Sequence, residues 1–261
     1  MIRQNQQGKK NNRPSEAVGV WMVPEGISVL TASGVHAYPE IDAARRIILP
    51  DSVRQIEQYC FASLHNLEEV QFPVSLDEIG RGIFQHCWNL RRVRLPEGTR
   101  LIDNAFFYGC GRLRFLKIPY TVKEIDRDAL KTCEQLTDVE ISDAMFSRYP
   151  RSVRLLAALT FVKNAPADSR ALLADGAPGH KAAAYISAHK CSLLDIAIAK
   201  NDPDAVYQML RNPMFTGDLE DAALQSLANR ANREGRTEIM VLLLNELQKR
   251  NLKEEEEGFA W

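Results

Sequence analysis

The sequence predicts an α+β protein: a solenoid of short stacked strands in 23-residue repeats, followed by an all-helical part. Three observations predict it. Four prolines, Pro50, Pro73, Pro96 and Pro119, stand 23 residues apart. The apolar residues around each proline recur at the same interval over residues 47–141. Beyond Ile141 that interval vanishes and apolar residues fall at helical spacing instead. A unit of 23 residues is too short to enclose a core alone. Each copy must therefore lay its apolar residues against the next, and equivalent positions become ladders along the stack.

Residues 1–19 are polar and lack an apolar stretch of the kind that makes a secretory signal, so they read as a disordered leader and imply a cytoplasmic protein. Residues 20–46 read as an N-terminal cap. Pro24 to Leu30 echoes Pro96 to Ile102, but Pro24 lies 26 residues before Pro50 and the later apolar places are lost. Terminal repeats tend to be atypical because one side faces water.

The regular unit opens with Ile47 to Pro50, Val70 to Pro73, Val93 to Pro96 and Leu116 to Pro119, and Val139 to Ile141 begins a fifth copy. Apolar residues alternate with polar ones, as in Val70, Gln71, Phe72, so each string reads as a strand with one buried face. Proline, having no N–H, ends the strand. Ile56, Ile79, Ile102 and Ile125 follow, and the pattern predicts a second short strand there. Next come Phe61, Phe84, Phe107 and Leu130; then Leu64, Cys87, Cys110 and Cys133; then Leu67, Leu90, Leu113 and Leu136.

With Leu-x-x-Val-x-Leu-Pro, then Ile, then Phe-x-x-Cys-x-x-Leu, the array resembles the BspA-like class of bacterial leucine-rich repeats. Ile79, Phe84, Cys87, Leu90, Val93, Leu95 and Pro96 occupy the signature places, whereas Leu64 replaces the cysteine in the first copy and Leu130 the phenylalanine in the fourth. The resemblance covers about a hundred residues, residues 20–146 forming the solenoid with its cap. It implies a curved leucine-rich-repeat solenoid that acts in recognition, and no catalytic residue.

Residues 147–251 read as helical. Helices are expected over 152–163, 169–174, 179–200, 204–211, 219–234 and 237–251, with Asp202 as a cap ahead of Pro203 and Gly235 in the last turn. Leu194, Val206, Met209 and Leu210 recur 33 residues later as Leu227, Ile239, Leu242 and Leu243, the period of an ankyrin unit. Ser192 to Ala197 is similar to the ankyrin opening at the hydroxyl, leucine and alanine places only, so the part is ankyrin-like. A bare solenoid end would expose a strand edge, and the helices near 152–175 are expected to cover it. Residues 252–261, with Glu254 to Glu257 followed by Phe259 and Trp261, form an acidic and aromatic tail.

Candidate functional residues lie on the outward positions of the strands. Arg92, Arg94 and Lys117 surround Phe115, with Arg91 and Arg114 at the rim, and arginine and aromatic residues dominate interface hot spots. On the flanks, Arg46 with Glu69 and Lys117 with Glu140 are placed to pair across neighbouring strands. A net charge of −1 argues against a dedicated nucleic-acid binder, although the basic patch keeps that alternative open. Cys87, Cys110 and Cys133 share one ladder and read as small buried side chains in a turn, with a thiolate metal site as the sharper alternative. The five histidines show no ligand spacing, and neither a phosphate loop nor a nucleophile elbow occurs. No cofactor and no metal is expected. The expected function is a non-enzymatic protein-interaction scaffold; the alternatives are nucleic-acid association and a surface role after export without a standard signal.

Overall fold

The computed structural model describes residues 19–164, 179–212 and 219–258; of Asp143 and residues 254–258 it describes the backbone alone. Residues 1–18 of the expected leader, the short helix over 169–174 and the aromatic residues Phe259 and Trp261 fall outside the described residues.

Six strands, β1 (Val20–Met22), β3 (Arg46–Ile48), β5 (Glu69–Gln71), β7 (Arg92–Arg94), β9 (Phe115–Lys117) and β11 (Asp138–Glu140), form one parallel sheet in that order. Each step in register is one repeat: Ile47 pairs with Val70, Val70 with Val93, Val93 with Leu116, and Leu116 with Val139. These five central residues are all buried and form the first ladder. The expected second strands are β2 (Val29–Leu30), β4 (Gln55–Ile56), β6 (Glu78–Ile79), β8 (Leu101–Ile102) and β10 (Glu124–Ile125). Ile56 pairs with Ile79 and Ile102 with Ile125. The column is interrupted once, because β6 and β8 do not pair. There Gly98 approaches the previous turn so closely that a Cβ would lie 2.6 Å from the Leu76 carbonyl oxygen, and the isoleucines stay buried without the rung being made.

The interior follows the period. Phe84 stacks between Phe61 and Phe107 at centroid distances of 6.0 and 5.8 Å, and Phe106 meets it edge-on at 6.1 Å. Two further ladders complete the core: Val53, Leu76, Thr99 and Val122 beneath the post-proline turns, and Cys60, Ile83, Phe106 and Ala129 just before the phenylalanine places. Just before the second of these ladders the chain passes through left-handed conformations at Tyr59 and Gly82, and just after it at Ser63, His86 and Gly109. Gly82 has a second reason to be glycine, since a Cβ there would stand 2.2 Å from the Tyr59 ring of the preceding turn.

Residues 20–46 make a complete first turn of the solenoid. Val20 pairs with Arg46, a step of 26 residues, and the helix α1 (Ala32–His36) replaces the phenylalanine loop. Thr31 caps that helix through its hydroxyl, which accepts from the Gly34 N–H at 2.9 Å. Trp21 closes the core, packed on Tyr38 at 5.3 Å.

At the other end the helix α2 (Arg151–Asn164) lies along β11, with eight buried side chains from Val153 to Val162. The stretch expected as one helix over 179–200 is two, α3 (His180–Ala188) and α4 (Lys190–Lys200). The break falls at His189, whose ring stacks on Tyr185 at 4.0 Å and whose Nδ1 lies 2.9 Å from the Tyr185 carbonyl oxygen. Turning there lets both alanine-rich faces pack, because Ala183, Ile186, Leu194 and Ile198 are all buried.

Asp202 then starts α5 (Pro203–Arg211), its carboxylate accepting from the Ala205 N–H at 3.1 Å. After α6 (Asp221–Arg233) the chain turns at Gly235 with φ 70°, and α7 (Thr237–Gly258) is the last described element. The α4–α5 pair stacks on the α6–α7 pair, α4 against α6 and α5 against α7. That stacking accounts for the 33-residue echo, since Leu194, Val206, Leu227 and Ile239 all point inward. The expected end at residue 251 is too early: the α7 backbone runs through Glu254 to Glu257, a glutamate run with good helix propensity. None of the described helices is long and apolar enough to cross a membrane.

Candidate partner-binding face

Parallel pairing places outward side chains of equivalent positions side by side. On the flanks these are opposite charges: Arg46 Nε stands 3.8 Å from Glu69 and its terminal nitrogen donates to Gln71 Oε1 at 3.0 Å, while Lys117 Nζ stands 3.4 Å from Glu140. The centre differs. Among the described residues Arg92 and Arg94 meet no carboxylate; both guanidinium groups lie on the half-buried Phe115 ring, at 5.3 and 5.0 Å from its centroid. The register sets Arg92 between Glu69 and Phe115 and Arg94 beside Lys117, and the Glu69 carboxylate is engaged by Arg46 on its other side. Cation–π contact at an exposed site contributes roughly 0.5–1 kcal/mol. It gathers two cations over one ring without using the fork of donors that carboxylates recognise.

Clefts open on both sides of this cluster. Arg94 stands at a cleft of about 440 Å³ walled by Gln71, Phe72, Pro73 and Leu95. Lys117 stands at another, of about 580 Å³, where Tyr120, Ile141, Phe146 and Phe161 supply apolar walls at the junction of solenoid and helices. Tyr120 is 64% exposed, which makes it the prominent aromatic of that rim.

Arg91 and Arg114 are elsewhere. They precede β7 and β9, and with Arg112 and Gln135 they line a separate cleft of about 230 Å³. The six candidate residues therefore divide into Arg92, Arg94, Phe115 and Lys117 on the sheet face, and Arg91 and Arg114 at its margin. Arg112 escaped the sequence reading. Its place in the repeat is that of Asn89, whose side chain reaches back to donate to the His65 carbonyl at 2.7 Å, so reading that column across the copies would have found it.

The cysteine ladder does more than fill space. Cys87, Cys110 and Cys133 donate their S–H groups to the carbonyls of Phe61, Phe84 and Phe107, at 3.0, 3.1 and 3.7 Å. Each thiol thus ties its repeat to the one before. Burial pushes the Cys87 and Cys133 thiols up to about 12 and the Cys110 thiol higher still, so all three hold their protons. Among the described residues no group of three or more His, Cys, Asp or Glu side chains is arranged to hold a metal ion.

A leucine-rich-repeat solenoid is what the register, the ladders and the proline-ended strands define. More particularly, residues 34–149 match the BspA type leucine rich repeat region in six copies, and this segment is an array of that type. Solved structures similar to the chain are bacterial repeat proteins. A leucine rich cell surface protein from Faecalibacterium prausnitzii is 25% identical with a TM-score of 0.44, the match covering 51% of this chain and 35% of that one. A leucine-rich repeat protein from Bacteroides ovatus is 18% identical, TM-score 0.40, with 52% and 41% covered. The leucine rich repeat protein of T. pallidum is 19% identical, TM-score 0.34, with 51% and 71% covered. The chain thus spans little more than a third of the length of the first of these. No curated protein matches it.

Proposed function

We propose that the protein is a non-enzymatic scaffold, residues 20–146 binding and residues 147–251 capping, and that its sheet face docks an acidic segment of a partner protein on Arg92, Arg94 and Phe115. One observation carries this reading: Arg46 and Lys117 on the flanks are ion-paired with Glu69 and Glu140, whereas among the described residues the two central arginines form no ion pair, Glu69 beside Arg92 being engaged by Arg46. An acidic side chain arriving there gains bidentate hydrogen bonds without breaking an existing ion pair. The adjoining clefts take the apolar side chains on either side of it. The solenoid is preorganised by its ladders, so docking orders little of the protein.

The test is fluorescence anisotropy with a labelled peptide of alternating glutamate and phenylalanine, and with its lysine counterpart as control. The glutamate peptide binds, and Arg92→Glu with Arg94→Glu abolishes binding while the melting temperature holds. Equal affinity of the double variant overturns the reading. Mixed-sequence DNA of matched charge is the rival ligand, and a steep loss of its binding with salt would favour the nucleic-acid alternative.

The cytoplasmic setting expected from the leader rests on residues outside the described ones, and the fold lends it no support. A surface setting is the alternative, since one of the similar solved proteins is described as a cell surface protein. Fractionation of native cells separates the two.

A further inference from the structure

We propose that the cleft between Arg91, Arg112 and Arg114 is a binding site for a tetrahedral dianion, the phosphate group of a phosphate monoester. It is separate from the sheet face and does not rest on the reading given above.

A row of side chains lies one residue before the strands. Arg45, Glu68, Arg91, Arg114 and Thr137 are consecutive rungs: Glu68 N–H donates to the Arg45 carbonyl, Arg91 to Glu68, Arg114 to Arg91 and Thr137 to Arg114, at 2.7 to 3.3 Å. In the first three rungs the charges alternate. Glu68 lies between two arginines, accepting from Arg45 Nε at 2.8 Å and standing 3.7 Å from Arg91 Nε. At the next rung the alternation fails, and Arg91 is followed by Arg114. Neighbouring strands are about 4.8 Å apart, so two guanidinium groups are brought side by side with no carboxylate between them. Like charges directly opposite across a sheet are unfavourable.

A third arginine makes the arrangement a pocket. Arg112 donates to Asn89 Oδ1 at 2.5 Å, and Arg114 Nε to Gln135 Oε1 at 3.4 Å, so neutral amides hold two of the arginines in place without neutralising them. Of the acids beside these rungs, Glu68 is shared between Arg45 and Arg91, and Asp138, next to Thr137, is committed to Lys163 at 2.8 Å and to the Thr137 hydroxyl at 2.6 Å. What lines the cleft of about 230 Å³ is therefore three cations and the Gln135 amide. A dianion there restores the alternation and uses the planar donor forks that match phosphate oxygens. Arg91 already stands beside Glu68, and a single carboxylate would still leave one of Arg112 and Arg114 without a counter-charge.

The test is thermal unfolding of the full chain in increasing sodium phosphate against sodium chloride of matched ionic strength, with equilibrium dialysis of radiolabelled phosphate as a direct count. The expected result is a saturable rise in melting temperature with phosphate and one bound equivalent. Arg114→Gln, and separately Arg91→Gln with Arg112→Gln, weaken binding at least about tenfold, as loss of a charge-assisted contact requires. Arg92→Gln with Arg94→Gln leaves it unchanged, which separates this site from the sheet face. Blocked phosphoserine distinguishes the source: binding as tight as inorganic phosphate or tighter marks a receptor for phosphorylated side chains, and weaker binding marks a site for the free ion. Phosphate that raises stability no more than chloride, or binding that survives Arg114→Gln, overturns the proposal. Should that variant unfold, Arg114→Lys keeps the charge and loses the fork, and undiminished dialysis binding by it equally overturns the proposal.

Discussion

The Thr160 hydroxyl accepts a hydrogen bond of 2.7 Å from the backbone N–H of Val139, the central residue of the last strand. In every earlier repeat the next strand supplies that acceptor; here a helix side chain stands in for it. The same hydroxyl donates to the Leu156 carbonyl at 3.0 Å, so it is satisfied on both sides while buried. Thr160→Val keeps the shape and removes the acceptor. A buried N–H left unpaired costs about 1–3 kcal/mol, and urea unfolding will show a loss of that size. Thr160→Ser restores most of it. In native-state hydrogen exchange the Val139 amide loses protection in Thr160→Val and not in Thr160→Ser.

Lys163, one helical turn further on, links the solenoid to the helices. Its ammonium reaches Asp138 at 2.8 Å and Asp202 at 2.9 Å, with only 11% of the side chain exposed. Burial pulls its pKa down, but hydrogen bonds and charge from the two carboxylates outweigh that and the net shift is upward from 10.5. A folded pKa above the unfolded one means the contribution is complete below about pH 10 and is lost as pH rises through the folded value. The wild type therefore loses stability faster above pH 10.5 than Lys163→Met does. At neutral pH, Lys163→Met costs about 3 kcal/mol, because it leaves carboxylates without their cation. Chemical denaturation at pH 7 and pH 11 reads both effects.

Much of the solenoid was legible because a fixed period repeats the evidence. Strand centres, post-proline turns and the phenylalanine ladder each appear four or five times, so a departure such as Leu130 does not obscure the pattern. Thr160 and Lys163 had no such support: each occurs once, in a helix outside the period, and its partner lies in another element. The basic face was legible as outward positions, whereas its division into a sheet-face cluster and a marginal cleft depends on which end of the strand each arginine occupies. The helix break at His189 was hidden because alanine and leucine continue helical spacing on both sides of it.

The cysteines give a count that separates packing from reactivity. Cys60, Cys87, Cys110 and Cys133 are buried and free, and Cys191 is exposed. A thiol reagent reacts as the thiolate, and burial has pushed Cys60, like Cys87, up to about 12, so none of the four buried groups competes at pH 8. Native protein will show one fast equivalent, and denatured, unreduced protein five. A smaller denatured count would mean a disulfide or a bound metal. Cys110→Ala removes both volume and the donor to the Phe84 carbonyl, and should cost about 1–3 kcal/mol.

Thr99 is where the sequence opposes its own repeat. It occupies the ladder of Val53, Leu76 and Val122, is wholly buried, and its hydroxyl has no hydrogen-bond partner among the described residues. Its backbone is fully used, the N–H donating to the Pro96 carbonyl at 3.0 Å and the carbonyl accepting from Thr121 Oγ1 at 3.2 Å. Only the side-chain oxygen is out of place. Valine has nearly the same outline and is the residue that two other copies use here, so Thr99→Val replaces an unsatisfied hydroxyl with a methyl in an apolar ladder. The variant is expected to be more stable by about 1 kcal/mol, measured as a higher urea midpoint at unchanged slope. Val122→Thr, the reverse change one repeat later, is expected to destabilise, and a loss of stability in Thr99→Val would show that the hydroxyl serves the seam between β6 and β8, where the second strand ladder is interrupted.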